Sequence, residues 1–76
     1  MPTTYRILSN FQEIGTCEGI SGSDAQGTFI AFPPEQYSLF QLEDTLVTSS
    51  GEYLELYYEE LAYENGEVVV AKVYYH

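Results

Sequence analysis

The sequence contains no tryptophan, one cysteine, one histidine, one methionine and only two basic side chains. Each scarcity excludes something. Cys17 has no second cysteine to pair with, so no internal disulfide can staple the fold. Cys17 and His76 are the whole pool of nitrogen and sulfur ligands, too small for zinc, which takes several. The body of the chain offers no histidine to activate Cys17, so nucleophilic catalysis lacks its base. Cys17 therefore reads as a small buried hydrophobe. Gly15, Gly19, Gly22 and Gly27 fit neither a dinucleotide fingerprint nor a phosphate loop. Asp24 and Asp44 are the only aspartates, and no calcium-loop spacing contains them. The expectation is a protein without metal or cofactor, and not an enzyme.

The shortage of cations matters most. Arg6 and Lys72 stand against twelve carboxylates, for a formal net charge of −10. Nucleic acid is the wrong direct partner, because affinity there comes from Lys and Arg on phosphates. An anionic membrane surface repels such a chain. The complementary partner is a basic protein surface, such as that of a nucleic-acid-binding protein. No apolar run approaches the roughly 20 residues of a membrane span. The first residues lack a basic segment followed by an apolar one, so a cytoplasmic location is expected.

What remains is apolar and aromatic. Hydrophobic residues make up 45% and aromatics 16%, which argues for a packed domain despite the charge. A chain of 76 residues is one domain with a thin margin of buried surface. With no disulfide or metal, support must come from an aromatic core or from oligomerisation, a homodimer included.

Thr4 to Phe11 is β-competent, and Ile14, Thr16, Glu18 and Ile20 have strand spacing. The glycines at 15 and 19 point to an edge or a bulge there. Ser21 to Gly27 has the composition of a loop. Thr28 to Phe32 is a short strand closed by Pro33-Pro34, with Phe32 held extended by the proline after it. Pro34 to Gln36 suits one helical turn. Thr45 to Thr48 is strand-like and Ser49 to Gly51 is a turn.

Near the C-terminus, Asn65-Gly66 lies between two β-competent runs, the strongest short-range hairpin signal. A two-residue turn would pair Tyr63 with Val68, Leu61 with Val70, Glu59 with Lys72 and Tyr57 with Tyr74. This reading needs a bulge near Glu59-Glu60, where the apolar parity switches. A helix competes with it: Leu54, Tyr57, Tyr58, Leu61 and Ala62 form a helical stripe, Ser49 and Glu52 a capping box, and Asn65-Gly66 a C-cap. The register and the tyrosine content favour the strand. The fold class expected is all-β, or β-rich α+β. Its architecture would be a small curled antiparallel sheet or barrel of five to six strands with a C-terminal Asn-Gly hairpin.

Eight of the twelve acids fall between Glu43 and Glu67, interleaved with Tyr53, Tyr57, Tyr58 and Tyr63. Side chains on one face of a strand repeat every ~7 Å, comparable to phosphates along a nucleic-acid strand. The pattern suggests a small acidic interaction protein that docks on a basic protein surface. By analogy with small acidic chains of phages and mobile elements, it would act as an inhibitor or nucleic-acid mimic. Glu52, Glu55, Glu59, Glu60 and Glu64 would carry the charge, with Tyr57 and Tyr63 as anchors. As one arm of a hairpin the segment would divide its acids between two faces. The alternatives are an accessory subunit binding through its tyrosines, and a small-ligand-binding barrel. The bland reading is an acidic face that only solubilises, over tyrosines that fill the core.

Overall fold

In the computed structural model, which describes residues Met1 to His76, six strands and one helical turn follow in order. These are β1 (Thr3–Ser9), β2 (Gln12–Asp24), β3 (Gly27–Phe32), α1 (Pro34–Tyr37), β4 (Thr45–Val47), β5 (Tyr53–Glu64) and β6 (Glu67–Tyr75). All pairings are antiparallel, and the strands close a barrel in the order β1-β2-β3-β6-β5-β4. The all-β reading holds, and the helix over Leu54 to Tyr63 does not form. Those residues are strand because β4 pairs Leu54 and Glu55 and β6 pairs the segment from Leu56 onward.

Two long strands make closure work, because each serves two neighbours in succession. β2 pairs with β1 from Gln12 to Gly19 and with β3 from Ile20 to Asp24. Gly19 marks the changeover. A Cβ there would lie 2.6 Å from Ile30 Cγ2 and 2.7 Å from Phe32 Cε1, so only glycine lets the strand come this close to the core. Ile14 is the extra residue of a bulge between the pairs Ile7↔Gly15 and Leu8↔Glu13, as the glycine content of this strand implied.

The segment read as a loop, Ser21 to Gly27, is a correction. β2 continues through it, with Ser21↔Ile30, Gly22↔Phe29 and Ser23↔Thr28, and only a tight turn at Ala25-Gln26 remains. Asp24 Oδ1 accepts the Gln26 N–H at 2.8 Å and fixes that turn. Loop-like composition lost to cross-strand pairing. Gly22 leaves room for the Phe29 ring, whose Cζ would be 2.9 Å from a Cβ at that position.

β5 pairs with β4 over Tyr53–Glu55, then with β6 from Leu56 to Glu64. The Asn65-Gly66 turn joins the last pair, with φ of 53° and 81°, the left-handed pattern of a type I′ hairpin. Tyr63↔Val68 forms as expected. Beyond it Val69 is an extra residue, and the register moves by one to Ala62↔Val70, Glu60↔Lys72 and Tyr58↔Tyr74. This displaces the expected pairs Leu61 with Val70, Glu59 with Lys72 and Tyr57 with Tyr74. The gain is that Leu61 meets Ala71 and Glu59 meets Val73, so the buried Ala71 and Val73 stay on the core side. Tyr57 is a second extra residue, between Leu56↔Tyr75 and Tyr58↔Tyr74. The parity switch expected near Glu59-Glu60 is thus made at Tyr57.

Side chains from all the walls fill the interior. Tyr5, Ile7, Cys17, Ile30, Phe32, Phe40, Leu46, Leu54, Leu56 and Val73 form one cluster, with Tyr37, Leu42 and Tyr75 packed against it. Phe32 lies edge-on to Tyr5 and Phe40, at ring separations of 6.4 and 5.0 Å. α1 plugs one opening: Tyr37 packs edge-on to Phe40, and Gln36 Oε1 accepts the Glu18 N–H on β2 at 2.8 Å.

Candidate functional site

The chain's two cations are already engaged. Arg6 Nη1 is 3.1 Å from Glu13 Oε1, across the β1–β2 hairpin. Lys72 Nζ is 3.3 Å from Asp24 Oδ2 and lies 4.6 Å from the centre of the Phe29 ring. These are the only two ion pairs, so ten carboxylates have no internal counter-charge. Glu60 stands directly across from Lys72 in the register, yet Lys72 turns to Asp24.

Asp24 is the best-connected acid, and sequence reasoning set it aside. Its carboxylate accepts the Tyr74 hydroxyl at 2.7 Å as well as the Gln26 N–H and the Lys72 ammonium. The Tyr74 hydroxyl bond leads these contacts in holding the Asp24 carboxyl below its ordinary value. The same bond, with desolvation, pushes the Tyr74 phenol up to about 12. The Phe29 and Tyr58 rings pack against it, with Lys72 over Phe29, so Tyr74 is buried although it sits on the outer side of its strand. This cluster is a clasp between β2 and β6, 50 residues apart in sequence.

The expected site residues all lie on β5 or just before it. Glu52 stands in the turn ahead of β5, where its N–H donates to Thr48 Oγ1 at 3.0 Å. Glu55 faces Thr45 on β4. Tyr57, pushed out by the bulge, stacks on His76 with ring centres 4.3 Å apart and planes 19° from parallel. Glu59 shares a face with buried Val73 and is half-buried, while Glu60 shares the opposite, outer face with Tyr58. Tyr63 and Glu64 sit on the exposed hairpin end, beyond the last β6 residue that β3 pairs. The structure thus strings these residues along one strand and divides them between its two sides. No single face carries all five acids.

A second exposed group was not anticipated. Phe11 is 98% exposed at the tip of the β1–β2 hairpin and holds φ at +66°, after Asn10 at +52°. Such a backbone angle is rare for a bulky residue. Tyr53 and Leu8 line a shallow depression with Phe11, and exposed Ile14 and Leu39 border the next one, with Glu43 common to both. Nothing in the sequence marks Phe11 as a turn residue; it reads as the end of a β-competent run from Thr4, whereas β1 stops at Ser9.

Cys17 is buried in the core and desolvation pushes its thiol up to about 11, so it stays protonated near neutral pH. No three His, Cys, Asp or Glu side chains converge on a common point that could hold a metal ion. No helix is long and apolar enough to cross a membrane. Comparison with family models, curated proteins and solved structures gives no match.

Proposed function

We propose that this chain is a small acidic interaction protein that docks on a basic protein surface through β5. One observation carries the reading. Glu52, Glu55, Glu59, Glu60 and Glu64 form no ion pair within the molecule, because Arg6 and Lys72 both pair with other acids. Such a strand, unneutralised from within, attracts positive charge from without. Filled core positions weigh against a small-ligand barrel.

An inhibitor that covers a nucleic-acid-binding cleft is the finer form of the proposal. The acids on β5 recur mostly every three or four residues, rather than at the two-residue repeat that would match phosphate spacing on one face. This favours charge-led docking over a close copy of a phosphate row.

The test is affinity capture by the wild type and by a Glu55/Glu59/Glu60→Gln variant, at about 50 mM and about 500 mM salt. The wild type should hold basic proteins at low salt and release them at high salt, and the variant should hold little. Equal retention of the same proteins by both, at both salts, would defeat the proposal. A second reading, a subunit held in a larger assembly by apolar contact, is favoured by the strained and exposed Phe11. Its binding would barely respond to salt and would fall with Phe11→Ser.

A further inference from the structure

Handing each long strand from one neighbour to the next leaves stretches of edge bare, and the longest acidic one is on β5. β5 pairs with β4 only over Tyr53–Glu55. From Leu56 to Glu64 it pairs with β6 alone. In an antiparallel strand alternate residues turn their N–H and C=O to opposite edges, so about half the backbone groups from Tyr57 to Glu64 face away from β6. No turn, loop or side-chain hydrogen bond reaches them. The chain ahead of β4 cannot extend that strand over them, because it turns at Gln41–Asp44. There the Asp44 carboxylate accepts the Gln41 N–H, and the Asp44 N–H donates to the Gln41 carbonyl, both at 2.9 Å. The corresponding edge of β2 is covered in part, where Gln36 Oε1 accepts the Glu18 N–H.

We propose that the bare β5 edge takes an extended, lysine- or arginine-rich segment of a partner protein as an added strand. The inference rests on the docking reading above and specifies how the partner is held. Unpaired edges invite another strand, and proteins guard them with charge. Here the guards are of one sign: Glu59, Glu60 and Glu64, with no lysine among them. A second copy of the chain would bring like charges side by side, whereas a basic strand would bring opposite ones. Glu60 lies on the outer side of the strand, and Glu59 on the side of Val73. A strand laid along this edge meets carboxylates above and below itself. The division between sides that spoils a flat acidic track suits an added strand, whose own side chains alternate. Tyr57, braced on His76, and Tyr63, 63% exposed, flank the two ends of the stretch.

The probe is a synthetic eight-residue peptide alternating lysine with valine or threonine. Its twin carries the same sequence with every backbone amide methylated, which keeps the charge and removes the donors. Titration calorimetry at low salt should show the parent peptide binding and the methylated twin weaker by at least about tenfold, the worth of one or two net hydrogen bonds. The parent should also slow amide exchange within Tyr57–Glu64. Equal binding of both peptides, without that slowing, overturns strand addition and leaves charge docking standing. Parent binding that survives the Glu55/Glu59/Glu60→Gln variant removes charge docking instead. No binding of the parent removes both.

Discussion

Replacing Phe11 with glycine should make this protein more stable, although it deletes a large apolar side chain. The side chain is 98% exposed, so its removal forfeits almost no burial. Its backbone sits at φ +66°, in the left-handed region, where a residue with a Cβ costs roughly 1–2 kcal/mol. Glycine is free of that penalty but loses more entropy on folding, about 0.5–1 kcal/mol. The net gain is between about 0 and about 1.5 kcal/mol. For a domain of this size each kcal/mol moves Tm by about 4–8 °C, so the midpoint should rise by up to about 12 °C. Circular dichroism melts give the midpoint, and urea titration with an unchanged slope confirms the free energy. Phe11→Ala is the control, since it removes the ring and keeps the Cβ. A melting point for Phe11→Ala as high as for Phe11→Gly, or a lower one for Phe11→Gly, would refute the strain argument. In that case the ring itself would be contributing to the fold through Tyr53 and Leu8.

Gly19→Ala should destabilise by roughly 1–3 kcal/mol in the same urea titration, because the new methyl meets Ile30 and Phe32 well inside contact distance; an unchanged midpoint would show that the changeover in β2 has slack. The Asp24–Tyr74 clasp should make the stability difference between wild type and Tyr74→Phe depend on pH at both ends. Tyr74 is raised in the fold, so its contribution is full below 10.0 and is lost as pH rises toward about 12. Asp24 is lowered, so its share is present above the ordinary carboxylate value and is lost as pH falls through its depressed one. A difference that stays flat from acid to alkali would count against the clasp. Cys17 should react with thiol reagents at pH 8 only when urea unfolds the chain, and rapid labelling of the native protein would contradict its burial.

Much of the fold was legible where local chemistry and tertiary pairing agree. Asn65-Gly66 can accept the left-handed angles of its turn, and Phe32 before Pro33-Pro34 has little choice but to be extended. Residues read by composition alone went astray. Ser21 to Gly27 looks like a loop, yet Phe29 lying over Gly22 makes it a strand. Val69 and Tyr57 are extra residues because Leu61, Ala71 and Val73 must reach one core, a constraint that belongs to the whole barrel and leaves no local trace. The candidate site was legible as a list of residues but not as a shape. Charge density marked Glu52 to Glu64, whereas the split between its sides and the bare edge follow from where β4 stops. Asp24 escaped notice because its partners, Lys72 and Tyr74, arrive from the other end of the chain.

The brevity of β4 has a consequence for how the ring comes together. Its three residues form both the pairing with β1 and the pairing with β5, so the circle is joined there by three residue pairs on each side. The β1–β2 and β5–β6 hairpins zip from two-residue turns and need little search. The β4–β1 joint brings Arg6–Leu8 to Thr45–Val47, from opposite halves of the chain, and such distant contacts are slow to find; the β3–β6 joint is as distant but holds by four pairs rather than three. Assembly should therefore end at this latch and disassembly begin there. Amides at the latch would then exchange with solvent sooner than those at the base of the β5–β6 ribbon, and the reverse order would rule this sequence of events out.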